Sequence, residues 1–354
     1  MMQAFMLSIG SLKLDLPVVQ AALSGYSDVA MRRIARRHGA PYALNEVVLD
    51  KLVIQPGKTR RRILAVESDD HPVGGQLMGA NPADFAEAAA DLTEAGYDVI
   101  DINFGCPVRK VLGRCRGGFL LSEPETALDI VRRVVDAVGG RRPVTLKMRR
   151  GMDDGAEHER NFFTIFEGAY EAGVAAVTVH GRTVKQRYVG PSDWSFLTKL
   201  RSRAADRVLL GSGDLFSAED CRRMVQETGV DGVTVARGCI GYPWIFSECR
   251  ALFSGDPLPD PPSVPEQGMT IREHFEECAR IYGGPLAVRR MRKFGIRYSE
   301  IHPHFAEVRA AFIAAADVDA FMAVLDRWYD AQAVWPPVQR PANPYHLVGA
   351  GACE

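Results

Sequence analysis

The sequence predicts an α/β fold, a (β/α)8 barrel of the TIM type carrying a helical-bundle domain at its C-terminal end. Three observations lead there. Short apolar runs alternate with amphipathic stretches over the first ~250 residues, the span such a barrel needs. The apolar runs end in polar residues or glycine turns. After a Pro-rich connector the pattern becomes wholly helical. A chain of 354 residues that is 47% hydrophobic can bury both units.

Taken in order, a hairpin is expected around Gly10, followed by a first strand within Leu16 to Leu23. The turn Ser24 to Asp28 can cap a helix over Val29 to His38. Pro41 to Val47 reads as a second strand, and the loop after it holds the basic tract Lys58 to Arg62. Pro72 to Met78 is the third strand, and Asn81-Pro82 opens an Ala-rich helix to about Glu94. The fourth strand, Val99 to Asn103, breaks at Gly105-Cys106-Pro107 into a loop rich in Gly and Arg. Helices at Pro124 to Val138 and from about Glu159 to Glu171 flank a fifth strand, Pro143 to Arg149. Strands six to eight are Ala175 to His180, Val208 to Gly211 and Gly232 to Val235. The helices following them start near Trp194, Ser217 and Pro243.

The domain division expected is a catalytic barrel over 1–254, a Pro-rich linker over 255–265, a helical domain over 266–334 and a loosely ordered tail over 335–354. Four amphipathic stretches make the helical domain: Glu266 to Tyr282, Pro285 to Tyr298, His304 to Ala315 and Val318 to Ala333.

Composition excludes several classes. No run approaches the ~18 to 20 apolar residues of a membrane span, and the start lacks the basic region of a signal peptide. The seven cysteines are scattered, with no CxxC pair and no zinc-ligand spacing, so neither a disulfide framework nor a metal is expected. A monomer in the cytoplasm is the expectation. With a net charge of −1, any polyanion would have to be held by local basic patches.

If the barrel is right, the strand exits share one face, where this fold gathers its chemistry. They offer Glu46, Gln76, Asn103 with Cys106, Lys147 with Arg149, His180, Ser212 with Gly213, and Arg237. Each has a plain alternative: Cys106 a half-buried structural thiol, His180 a satisfied core histidine, Lys147 a snorkelling surface group. Together they suggest a shared site. The exits GSGDL and ARGCIG suit a phosphate bound by backbone N–H groups, although tight turns alone also call for glycine. No GxGxxG follows the first strand, which argues against a nicotinamide held in a Rossmann unit.

Basic residues crowd the same loops: Arg109, Lys110, Arg114, Arg116, Arg150, Arg182, Lys185, Arg187 and the Lys58 to Arg62 tract. They read as a positive rim or as ordinary solvated loops. In the helical domain, Arg289, Lys293 and Arg297 recur every four residues with Arg292 beside them, a row able to follow phosphates or simply to face water.

These residues resemble the tRNA-dihydrouridine synthases, most closely the bacterial B-type, from about Leu16 to Tyr298. The most specific match is Asn103, Gly105-Cys106-Pro107, Lys110-Val111, Gly117 and Leu120-Leu121. Gly25, Asp28, Asn45-Glu46, Gln76, Leu146 to Arg149, His180 to Thr183, Arg237 and Pro243 to Phe246 follow in the family's order.

The resemblance implies an FMN enzyme that uses NADPH to reduce a specific uridine in tRNA. By position, Gln76, Lys147 and His180 would hold the flavin beside Ala22, Leu23 and Ser24. Ser212, Gly213, Asp214, Ala236 and Arg237 would bind its phosphate. Asn103, Glu46 and Arg149 would meet the uracil, Cys106 would be the general acid, and Arg289, Arg292, Lys293 and Arg297 would bind RNA. Three positions depart from the family: Ala21-Ala22-Leu23 replaces Ala-Pro-Met, Ser212 replaces Asn, and Ala236 replaces Gly. Retained but altered FMN binding is the expectation. The alternatives are an FMN barrel acting on a free pyrimidine, which has no use for the basic helix, and a non-catalytic RNA-binding relative with weakened flavin binding.

Overall fold

A computed structural model describes residues 6–345. Strands β1 (Leu7–Ile9) and β2 (Leu12–Leu14) form the expected hairpin, turning at Gly10 with φ 57°. Eight parallel strands then close a barrel: β3 (Val18–Gln20), β4 (Ala43–Leu44), β6 (Val73–Met78), β7 (Val99–Phe104), β8 (Val144–Arg149), β9 (Ala176–His180), β10 (Val208–Ser212) and β11 (Gly232–Val235). Closure runs β11–β3–β4–β6, through Val235 opposite Gln20, Gln20 opposite Ala43, and Ala43 opposite Val73.

The expected second strand is split. Asn45 donates its N–H to the Gly74 carbonyl while its side-chain oxygen accepts from Gln76 N–H at 2.8 Å. A side chain thus takes the place of a ladder acceptor, and pairing resumes only at β5 (Val48–Leu49), beside β6.

Strand alternation sorts the core. On β7, Ile100, Ile102 and Phe104 are fully buried against the outer helices. Val99 faces the interior, in a cluster with Val19, Leu44, Ala176 and Leu210. Leu7, Ile9 and Leu14 of the hairpin join that cluster, so β1 and β2 plug the end of the barrel at the strand starts. Asp101 and Asn103 continue the interior face upward.

Helices α1 (Val29–Arg37), α2 (Asp50–Ile54), α3 (Lys58–Ile63), α4 (Pro82–Glu94), α5 (Arg109–Leu112), α6 (Pro124–Val138), α7 (Ala156–Glu171), α8 (Trp194–Ala204), α9 (Ala218–Thr228) and α10 (Ile245–Ser254) surround the strands. Asp28 caps α1 by accepting from Met31 N–H at 3.1 Å, and Asn81 caps α4. The Lys58 to Arg62 tract, expected as loop, is α3. Its Ile63 packs on the core while Arg60 pairs with Asp91 at 2.9 Å.

α11 (Val264–Tyr282), α12 (Gly284–Tyr298), α13 (Phe305–Ala314) and α14 (Val318–Trp328) form the helical unit. A Ser263–Glu266 capping box starts α11 inside the Pro-rich connector. The stripe Ala287, Met291, Phe294 and Tyr298 is buried as its spacing predicts. Among the described residues no helix is long and apolar enough to cross a membrane.

The segment after Trp335, expected to be loose, returns to the barrel: Asn343 is buried, and its side-chain N–H groups reach the Asp214 carbonyl at 3.0 Å and Asp220 at 2.9 Å. The absence of periodicity reflected irregular backbone rather than absence of packing. The last nine residues of the expected tail, 346–354, lie outside the described residues.

Candidate active site

A cavity of about 420 Å³ opens at the strand exits. β3 gives it Ala22, Leu23 and Ser24; β7 gives Asn103 and Cys106; β8 gives Lys147 and Arg149; β9 gives His180. The turns after β10 and β11 add Ser212, Gly213, Asp214, Ala236 and Arg237, and Arg297 of α12 stands at the rim.

Gln76 and Glu46, expected at the same place, do not line it. Gln76 is buried below, donating to Asp101 at 2.6 Å and accepting from the Asn103 amide at 2.6 Å. Thr145 completes this layer with a 2.5 Å bond to Asp101. Asn103 in turn accepts from the N–H of Gly105 (2.9 Å) and of Cys106 (3.1 Å). The interior of the barrel is thus a polar ladder that sets the thiol loop, and Asn103 keeps one amide N–H for a ligand. Glu46 lies half-buried near Lys293; burial lowers that lysine's pKa, and the charge of Glu46 offsets part of the effect.

Burial sets the protonation states. It pushes the Cys106 thiol up from its usual value, outweighing the N–H of Val108 and the charge of Arg149, so at neutral pH the thiol keeps its proton. Burial, with help from Arg149, pushes Lys147 down to about 8. His180 is held well below its ordinary value by burial and by the cations Lys147 and Arg149. Its Nδ1 accepts from Arg182 N–H at 3.1 Å, which leaves Nε2–H as the donor of a neutral ring. Arg149 braces two loops, donating to Gly105 O at 3.0 Å and to Thr183 O and Arg187 O at 2.7 Å.

At the other end of the cavity Gly213 has φ 115°, and a Cβ there would fall 2.4 Å from Ser192 Oγ and 3.0 Å from His180 Cε1. Only glycine fits. Ala236 has φ −112° and ψ −96°, outside the regions that residues with a Cβ favour, so the departure from glycine puts an alanine where glycine sits more easily. Among the described residues, no backbone acceptor takes the N–H of Gly213, Asp214 or Ala236.

Two side chains expected at a phosphate are engaged otherwise. Ser212 Oγ donates to Thr234 O at 3.3 Å. The Asp214 carboxylate lies 2.7 Å from buried Arg182 and accepts from Ser192 N–H at 2.6 Å. A carboxylate so paired contributes its main chain only.

The positive rim is smaller than the sequence suggested. Arg182 is fully buried, and Arg150 is tied to Asp154, Gln186 and the Gly181 carbonyl. Arg109, Lys110, Arg114, Lys185 and Arg187 remain exposed. On α12, Lys293 sits 4.5 Å from the Tyr26 ring and Arg297 reaches the cavity, whereas Arg292 projects roughly 100° around the helix from Lys293. Arg289 is exposed. Arg290, which the spacing argument omitted, is the residue that pairs with Asp28, at 3.0 Å.

Sequence reasoning missed Asp101, Tyr188 and Tyr345. An Asp within an apolar strand was a readable sign of the polar ladder. Tyr188, 51% exposed, stands over the cavity between Arg149 (5.5 Å) and Arg237 (4.8 Å), and an aromatic amid Lys185, Arg187 and Gly190 was the available signal. Nothing local marked Tyr345.

A parallel barrel whose exits bring together a protonated thiol, a neutral histidine, a depressed lysine and a glycine turn is the frame of a barrel enzyme, and the family it matches makes it an oxidoreductase. The chain belongs to the dihydrouridine synthase family, whose model, "Dihydrouridine synthase (Dus)", matches residues 19–333. A probable tRNA-dihydrouridine synthase of Rhodobacter capsulatus is 36% identical over 321 residues, 90% of this chain and 96% of the relative. tRNA-dihydrouridine synthase B of Pseudomonas aeruginosa is 34% identical, covering 91% and 95%. Among solved structures, morphinone reductase in complex with tetrahydroNAD matches with a TM-score of 0.55 at 14% identity, over 75% of this chain and 93% of that one. At that identity the likeness is one of fold.

Proposed function

We propose that the protein reduces the C5=C6 bond of a uridine in folded tRNA, with FMN as cofactor and NADPH as the source of electrons. The observation that carries the reading is Cys106: a thiol kept protonated by burial, fixed through Asn103, on the wall of a cavity whose far end can take a phosphate. The cradle fits FMN, since the turn at Gly213 has no room for a side chain, and Gly213, Asp214 and Ala236, whose N–H groups have no backbone acceptor among the described residues, line the cavity with Arg237. When bound and reduced, FMN supplies hydride to C6 of the uracil.

The chain's own residues do the rest. Lys147 and the Nε2–H of His180 hold the flavin ring system, and the N–H groups of Gly213, Asp214 and Ala236 with Arg237 hold its phosphate. The free amide N–H of Asn103 orients the uracil, with Arg149 bracing the loop beside it. As C5 gains enolate character, the Cys106 thiol gives it a proton and recovers one from water. Gln76 acts through Asn103. The barrel is the catalytic unit and the helical unit an RNA-binding one, in which Arg289, Lys293 and Arg297 meet the backbone, with Glu46 next to Lys293 and Arg292 at the margin. That Arg297 lines the same cavity as Cys106 favours an RNA substrate over a free pyrimidine.

The test is to map dihydrouridine in RNA from cells lacking the gene, then restore wild type or Cys106→Ala. A site that disappears and returns only with the thiol supports the proposal; RNA unchanged by the deletion refutes it.

A further inference from the structure

The family match ends at residue 333, yet the chain beyond it comes back to the cavity. Arg340 anchors this return, donating to buried Glu248 at 2.9 Å and to the Pro259 carbonyl. Asn343 then clamps the turn after β10 from outside, through the Asp214 carbonyl and Asp220. Its side-chain oxygen accepts from Tyr345 N–H at 3.0 Å, which turns the chain inward. The Tyr345 ring lies 4.6 Å from the Arg182 guanidinium and 5.8 Å from that of Arg237. Its hydroxyl donates to Tyr188 O at 2.8 Å and accepts from Arg237 at 3.4 Å.

Among the described residues of the cradle, Arg237 is the cation left more open to an anion: Arg182 lies 2.7 Å from the Asp214 carboxylate, Arg237 3.6 Å from it. Arg237 has three rings about it, Tyr188 at 4.8 Å, Phe216 at 5.1 Å and Tyr345 at 5.8 Å. A guanidinium confined between faces keeps its donor edge in one plane, which reduces the entropy lost when it grips an oxyanion. The same strap walls a second cavity of about 330 Å³ with Pro341, Ala342 and Pro344, and that cavity shares Arg237 and Arg297 with the first. The segment therefore bears on both sides of Arg237.

We propose that residues 340–345 are a built-in part of the cofactor site, with Asn343 and Tyr345 as positioning residues that hold the Gly213–Asp214 turn and Arg237 for the flavin's phosphate. This rests on the FMN reading above. The strap acts on the phosphate and not on the ring system, so its removal changes discrimination between FMN and riboflavin.

The experiment titrates both flavins, by fluorescence quenching, into the full-length protein freed of cofactor and into Asn343→Ala, Tyr345→Phe and Tyr345→Ala. Expected is a loss of about ten-fold or more in FMN affinity for Tyr345→Ala, close to 1.4 kcal/mol, with riboflavin affinity unchanged. Tyr345→Phe, which keeps the ring and so the fold, loses less, in the same FMN-selective sense. Equal weakening of both flavins, or FMN affinity equal to wild type in all three variants, overturns the proposal while leaving the FMN reading in place. A wild-type protein that takes up neither flavin overturns both.

Discussion

Asn103 and Gln76 share a 2.6 Å hydrogen bond between their side-chain amides, and through it the loop carrying Cys106 hangs from the buried carboxyl of Asp101. Gln76→Leu cuts that connection and strands polar groups of both neighbours. The expected cost is about 1–3 kcal/mol, read from urea unfolding, together with slower uridine reduction although Gln76 meets no substrate. Wild-type stability and rate would show that the ladder is dispensable.

Cys106→Ala removes the proton donor and leaves the cradle intact. Dihydrouridine formation in a single turnover is expected to fall by roughly 10²–10⁴-fold while FMN affinity holds. A fall of less than two-fold would mean that water protonates C5 unaided.

Lys147 is a cation below about pH 8 and neutral above it. Flavin affinity is therefore expected to decline as pH rises through that value. Lys147→Met should bind more weakly at neutral pH and show no such decline. The Cys106 thiol titrates above its ordinary value of 9.0, so loss of the acid appears at higher pH, as a separate limb of the rate profile.

Gly213→Ala and Ala236→Gly make a matched pair. The first forces a side chain into positive φ and against Ser192, and should cost both stability and FMN binding. The second restores the family's residue at φ −112° and ψ −96°, a conformation glycine adopts more readily, so stability should rise while FMN affinity changes little. A marked gain in FMN affinity from Ala236→Gly would show that the alanine holds the cradle away from its best geometry for the phosphate.

Reversing Lys293 and Arg297 to Glu should weaken tRNA binding and flatten its salt dependence, whereas Arg292→Glu should do so less, because it projects from another side of α12. Filter binding across a salt series separates the two.

The sequence carried the barrel because each strand has its own period: Ile100, Ile102 and Phe104 face out, Val99, Asp101 and Asn103 face in. It carried the thiol loop and the Gly213 turn because those need particular residues. It did not carry which polar groups touch a ligand and which touch each other. Gln76, Asp214 and Arg182 have the right chemistry for a ligand and are instead engaged with neighbours brought from other strands. The clamp by Asn343 was invisible for a related reason, as an irregular segment has no repeat to read.

The hairpin that fills the strand-start end of the barrel has a kinetic meaning. With Leu7, Ile9 and Leu14 packed into that end, the cavity opens at the strand exits, beside the loops and Arg297 of α12. A nicotinamide donor and an RNA would then compete for the same doorway, so each must depart before the other arrives. Double-reciprocal plots at varied concentrations of the two should give parallel lines, and either partner in excess should inhibit the other's half of the cycle.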